Sequence, residues 1–229
     1  MTMPFYVSPE QLTKDRAEFA RKGISRGRAV IVVSCPEGIA LVADNPSESL
    51  RKIGEIHDRI AFAAVGKYNE FEALRQAGVR WADVRAYAYD RTDVTGRGLA
   101  SVYASLMATG FTAETKPFEV ELTVAEVGPH PGADRIFKLG FDGSIMDQDN
   151  FVVMGGNQAA IQEAFTGHGQ PQSLAAAVHT AHQTLGTPAA LEVGVLRRPE
   201  PNQSRRVGFH RCFDRLTPAQ VTELLKEQA

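Results

Sequence analysis

Four short apolar runs follow one another between residues 29 and 64, and that succession constrains the fold more than any other feature of the chain. Residues 29–34 are rich in β-branched side chains, Pro36-Glu37-Gly38 reads as a turn, and residues 39–44 run back. Residues 52–56 and 60–64 repeat the pattern around His57-Asp58. Runs of this kind joined by tight turns predict two antiparallel hairpins in series. Consecutive parallel strands would need a crossover helix between them, so an alternating βα architecture does not suit this order.

The rest of the chain is punctuated in the same readable way. Ser8 suits an N-cap, Pro9 the first helical position, and Gln11 would complete a capping box, which predicts a helix over about 9–22. Leu12 and Phe19 fall on one face of it, and Gly23 suits the C′ position. Helical spacing returns at 68–87, with Phe71, Leu74 and Trp81, and at 98–107, with Leu99, Val102, Tyr103 and Leu106. Strands are expected at 120–127, at 136–141 and 144–146 around Asp142-Gly143, and at 151–154. Helices follow at about 158–165 and 174–185, the second capped by Ser173 and stopped by Gly186. Residues 191–196 and 205–211 read as a strand pair, and Thr217-Pro218-Ala219-Gln220 opens a last helix with a capping box. Helix pairs therefore alternate with runs of hairpins. Two antiparallel sheets face to face, each covered by a helix pair, bury every apolar face: an α+β, four-layer α-β-β-α sandwich with an extra N-terminal helix.

Composition excludes more than it identifies. Lys and Arg number 25 against 27 Asp and Glu, so no strong field awaits nucleic acid or anionic lipid. No run approaches the roughly 18 to 20 apolar residues of a membrane span, and the N-terminus lacks the charged-then-apolar pattern of a secretory signal. Two cysteines, Cys35 and Cys212, make no disulfide framework, and a reduced chain is expected.

Several runs, in order, resemble the proteasome family and specifically its actinobacterial α subunits. They are Phe5-Tyr-Val-Ser-Pro-Glu-Gln11, Ala20-Arg-Lys-Gly-Ile24, Ala43-Asp-Asn-Pro-Ser47, Phe62-Ala-Ala-Val-Gly-Lys-Tyr-Asn-Glu-Phe71 and Tyr89-Asp-Arg-Thr-Asp-Val-Thr-Gly-Arg97. Lys116-Pro-Phe-Glu-Val-Glu121, Asp142-Gly-Ser-Ile145 and Phe151-Val-Val-Met-Gly-Gly156 complete them. The resemblance implies an N-terminal-nucleophile-hydrolase sandwich in a seven-membered outer ring, stacked on rings of catalytic β subunits. It implies a cytoplasmic degradation chamber fed by a hexameric ATPase activator, acting on proteins tagged with a prokaryotic ubiquitin-like protein. No cofactor is implied.

Catalysis in this fold class needs Thr, Ser or Cys as the free first residue of the first strand, with its own amine as base. Counting back from Gly38 and Asp44 places Arg28 there, and arginine has no nucleophilic atom. Asp44 and Lys52 match the groups that would lower a nucleophile's pKa. The expectation is therefore a chain with no catalytic residue. The resemblance gives Lys52 another role. It would receive the C-terminal carboxylate of an activator, with Gly23 and Gly66 leaving room for the tail. On the residue alone, Lys52 reads instead as a solvated strand-end charge paired with a nearby acid.

The resemblance also assigns the apolar segment 1–7 (Met1, Thr2, Met3, Pro4, Phe5, Tyr6, Val7) to a gate on the ring axis, ahead of one domain over 9–229. It places Phe111, Thr112 and Ala113, in a loop over 110–116, near the entrance. The basic cluster Lys14, Arg16, Arg21, Lys22, Arg26 and Arg28 would meet neighbouring α subunits and the β ring; alone it reads as a solvated face.

Other signals are weaker. His179 and His182 are three apart on one helix but lack a third ligand, so no metal is expected. His57 reads as a turn residue, and Gly155-Gly156-Asn157 as tight strand-to-helix packing rather than a phosphate loop. Two readings stand against the gating subunit: a self-processed threonine or serine hydrolase of the same fold, and a scaffold with no protease partner.

Overall fold

A computed structural model describes residues 8–199 and 211–226. Within them lie two five-stranded antiparallel sheets and six α-helices. The first hairpin is β1 (Val30–Cys35) with β2 (Gly38–Asp44), and the second is β3 (Ile53–His57) with β4 (Ile60–Gly66). They do not share a sheet. The first joins β8 (Phe151–Met154), β9 (Leu191–Arg197) and β10 (Phe213–Arg215) in the order β10-β9-β2-β1-β8. The second joins β5 (Val120–Glu126), β6 (Arg135–Leu139) and β7 (Ile145–Gln148) in the order β3-β4-β5-β6-β7.

The four layers are visible in the three apolar clusters. Val32, Leu41, Ile53, Ala63, Val65 and Met154 pack between the sheets. Phe62, Leu74, Leu99, Tyr103, Met107 and Leu122 join the second sheet to α2 (Tyr68–Ala88) and α3 (Gly96–Ala113). Ile31, Val33, Phe165, Val178 and Val195 join the first sheet to α4 (Gln158–Gly167) and α5 (Leu174–Thr184), with α6 (Pro218–Lys226) contributing Val221. Because helices cover each outer face, all six residues of β1 are buried, which is why the strands read as continuous apolar runs rather than alternating ones.

α1 (Pro9–Ser25) starts as expected, with the Ser8 hydroxyl accepting from the Gln11 amide at 3.2 Å. Gln11 does not return the bond; its side chain donates to Asp15 at 2.7 Å. The capping box is complete only at α6, where Thr217 Oγ1 accepts from the Gln220 amide and Gln220 Oε1 from the Thr217 amide. Leu12 and Phe19 stay about half exposed, at 52% and 48%, and α1 buries only Ala20 and Ile24.

Five expectations need correction. Gly23 does not end α1: the helix continues to Ser25 with Arg26 as its cap, and the missing side chain of Gly23 serves instead to leave room for Glu119. Residues 110–113 are helical, since α3 runs from Gly96 to Ala113, so Phe111, Thr112 and Ala113 form its last turn rather than a loop. His57 closes β3 and is buried; the turn is Asp58-Arg59. The partner of β9 is Phe213–Arg215 rather than 205–211, of which residues 205–210 lie outside the described residues. Gly155, with φ +100°, and Gly156, whose amide donates to the Gly27 carbonyl at 2.9 Å, pack tightly, but against the chain that leaves α1 and enters β1 rather than between β8 and the helix that follows it.

Candidate functional site

The end of the sandwich where β1 begins and β2 ends gathers the charged groups singled out from the sequence. Asp44 closes β2, and its amide donates to the Ala29 carbonyl at 3.1 Å. That bond brings Arg28 beside it, and Arg28 Nη1 sits 3.1 and 3.2 Å from the two Asp44 carboxylate oxygens. Lys52, the residue before β3, reaches across from the second sheet. Its Nζ donates to the Arg28 carbonyl at 2.8 Å and to the Asp44 carbonyl at 3.0 Å. Burial pushes the Lys52 ammonium down from 10.5 to about 8, against the opposing pull of Asp44 and Glu192.

Glu192 organises this end and was not singled out by sequence reasoning. It lies on β9, is 3% exposed, and accepts from the Lys52 amide at 2.9 Å, the Ile53 amide at 3.3 Å and Asn45 Nδ2 at 2.7 Å. Arg215 on β10 pairs with it, and Arg215 Nη2 donates to the Ile53 carbonyl at 2.6 Å. A buried carboxylate persists only when charge-paired and saturated with donors, and Glu192 is both. The available signal was a glutamate inside the otherwise apolar run Leu-Glu-Val-Gly-Val-Leu that makes up most of β9.

Gly66 stands close to this group. It follows Val65 at the end of β4 with φ +118°, and a Cβ there would lie 1.9 Å from the Glu119 carbonyl oxygen. Gly23 is excluded from carrying a side chain by the same residue, since its Cβ would lie 2.2 Å from Glu119 Oε2. Gly27 was passed over in the sequence and is the nearer glycine. Its Cβ would stand 3.3 Å from the Gly66 amide and overlap Val65, and it immediately precedes Arg28, whose carbonyl holds Lys52. Its Cβ vector therefore meets β4, the strand that leads into Gly66.

The other singled-out residues sit elsewhere. Thr112 accepts from Arg16 of α1 at 3.3 Å, and Phe111 packs on Phe141 with ring centroids 5.6 Å apart. These contacts bring the last turn of α3 under α1, not to Lys52. Residues 1–7 lie outside the described residues. His179 and His182 are half-buried on α5, and among the described residues no cluster of three or more His, Cys, Asp or Glu is arranged for a metal. No helix among them is long and apolar enough to cross a membrane.

Comparison with known proteins matches this architecture to one family. A family model described as proteasome subunit covers residues 24–189. The proteasome subunit alpha of Paenarthrobacter aurescens is 58% identical over 238 aligned residues, covering all of both chains. That of an Arthrobacter species is 59% identical over 237, and that of Thermomonospora curvata 51% over 241, each again at full coverage of both chains. Most of the chain lies within the family model, and its relatives match it end to end, so the chain belongs to the proteasome subunit family, on its actinobacterial α branch.

Proposed function

We propose that this chain is a non-catalytic gating member of the outer ring of a proteasome core particle. Neighbouring α subunits complete a seven-membered ring, β subunits beneath it carry the threonine nucleophile, and a hexameric ATPase activator docks above. Substrates are proteins tagged with a prokaryotic ubiquitin-like protein, and the particle works in the cytoplasm. One domain, residues 9–229, follows the gate segment 1–8, in which residues 1–7 close the entrance. Phe111, Thr112 and Ala113 border it. Lys52, with Gly23 and Gly66 nearby, captures the terminal carboxylate of an activator tail by charge and hydrogen bonding.

The observation that carries the reading is what Lys52 faces. Its ammonium is directed at the backbone of residue 28, the place a catalytic first residue would hold. That residue is an arginine whose guanidinium is bound to Asp44, and the peptide preceding it is engaged, with the Gly27 carbonyl accepting from Gly156. An amide nitrogen has no basic lone pair, so the activating groups have nothing to activate. A charged amine left beside an open strand end suits carboxylate capture instead.

The test uses the particle assembled with its β partner. Lys52→Ala is expected to impair ATPase-stimulated degradation of a tagged protein while rings still form. Deletion of residues 1–7 is expected to speed hydrolysis of small peptides without an activator. Unchanged stimulated degradation rejects the docking role, and unchanged peptide hydrolysis rejects the gate.

A further inference from the structure

The chain carries seven lysines, and the other six differ from Lys52 in what surrounds them. Lys67 and Lys116 pair with Glu70 at 3.7 and 2.6 Å, Lys116 also with Glu119 at 2.7 Å, and Lys138 with Glu121 at 2.8 Å. Lys14, Lys22 and Lys226 are exposed and hydrated. A carboxylate partner or full hydration each favour the protonated amine.

Lys52 is held differently. Both of its acceptors are neutral backbone carbonyls, and among the described residues no carboxylate pairs with Nζ. The nearest candidate, the Asp44 carboxylate, is occupied by Arg28. The side chain is half-buried, so it loses hydration without gaining a direct carboxylate partner, yet it is not sealed from small reagents. Amines in such surroundings are the nucleophilic lysines of proteins. Arg28, whose carbonyl holds Nζ, is 58% exposed and carries its guanidinium at this corner, paired on one side with Asp44.

We infer that Lys52 is a modification site, the lysine of this chain that reacts first with acyl donors bearing an anionic leaving group, such as acyl phosphates. The neutral amine attacks the acyl carbon and a C–N bond forms. The C–O bond to phosphate breaks, phosphate leaves with the electron pair, and the amine proton passes to solvent. The exposed guanidinium of Arg28 attracts the phosphate. With Lys52 lowered to about 8, roughly a tenth of it is free amine at neutral pH, against far less than 1% for an ordinary lysine. The product is a neutral amide. If the docking role above holds, acylation removes the cation that would meet the activator's carboxylate, so it acts as an off switch; this consequence rests on that reading, whereas the reactivity does not.

The experiment is a labelling of the purified full-length chain with acetyl phosphate between pH 6.5 and 10, with occupancy at each lysine read by peptide mass spectrometry. Lys52 is expected to label about tenfold faster than Lys14 and Lys22 at pH 7. Its rate should level off above about pH 8 while theirs continue to climb. A Lys52 rate at pH 7 no greater than that of Lys14, or one still climbing at pH 10, overturns the inference. The labelled protein is then assembled and given its activator. Loss of stimulated degradation in proportion to Lys52 occupancy supports the switch, and unchanged degradation at high occupancy rejects the docking role while leaving the reactivity standing.

Discussion

Lys52 donates its ammonium to the main-chain carbonyl of Asp44 at 3.0 Å, while the carboxylate of that same residue turns away to Arg28. The two halves of Asp44 thus serve two cations. The arrangement keeps Lys52 in place without neutralising it, and it ties the start of β1, the end of β2 and the approach to β3 into one corner.

The displaced titration of Lys52 has a consequence for stability. Its pKa falls from 10.5 to about 8 on folding, so between those values the folded chain binds fewer protons than the unfolded one. The cost of burying the charge is therefore present in full below about pH 8 and is relieved as pH rises toward 10.5. Urea unfolding of the native chain and of Lys52→Met at pH 7.5 and at pH 10 should show the native chain gaining relative to the variant at the higher pH. A constant difference would mean that Lys52 titrates as an ordinary lysine.

Gly66→Ala and Gly186→Ala separate backbone strain from overlap. Both glycines have positive φ, +118° and +83°, but a Cβ at Gly66 meets the Glu119 carbonyl oxygen at 1.9 Å, whereas nothing lies within 4 Å at Gly186. Gly186→Ala is expected to cost about 1 kcal/mol, from strain alone. Gly66→Ala should cost more than about 2 kcal/mol, because β4 must also part from β5. Equal urea midpoints for the two variants would show that the Gly66 corner yields freely.

Arg198 clasps the two sheets together. It donates to the carbonyls of Cys35, the last residue of β1, and of Pro36, to the Gly128 carbonyl, and to both oxygens of Asp134 before β6. The Asp134 side chain is 1% exposed and takes further bonds from Ser34 and the Gly128 amide. Arg198→Met leaves that carboxylate buried without its counter-charge, so the expected loss is about 3 kcal/mol at pH 7. Thermal unfolding measures it, and a loss under about 1 kcal/mol would show the clasp to be dispensable.

Much of this architecture was legible in the residues. The Thr217 and Ser173 caps act within one turn of helix, Gly143 at φ +83° turns the β6–β7 hairpin, and each is a short-range interaction that the local sequence states outright. Lys52, Asp44 and Arg28 were legible as a group through the count from Gly38 and Asp44. What escaped were positions where a distant contact overrides local preference. Gly23 looked like a helix end, yet α1 passes through it, and what its bare Cα answers to is Glu119, which fills the space beside it. His57 looked like a turn residue, yet its Nε2 is buried and without a partner, and burial lowers its pKa. A glutamate inside the apolar run of β9 marked Glu192 as unusual, but nothing local said that it would hold the backbone of Lys52 and Ile53 from 140 and 139 residues away.

The sequence by itself determined the order of helices and strands and the pairing within each hairpin, because turn chemistry, caps and apolar spacing act over a few residues. Only the tertiary structure decided which sheet each hairpin enters. β1, β2 and β4 are buried on both faces along almost their whole length, so their side chains give little direction, and the choice falls to burial between and outside the sheets. The same holds for the corner around Lys52. Its charge was written in the sequence, but its missing carboxylate partner follows from Arg28 reaching the Asp44 carboxylate first, and that is a matter of which strands lie side by side.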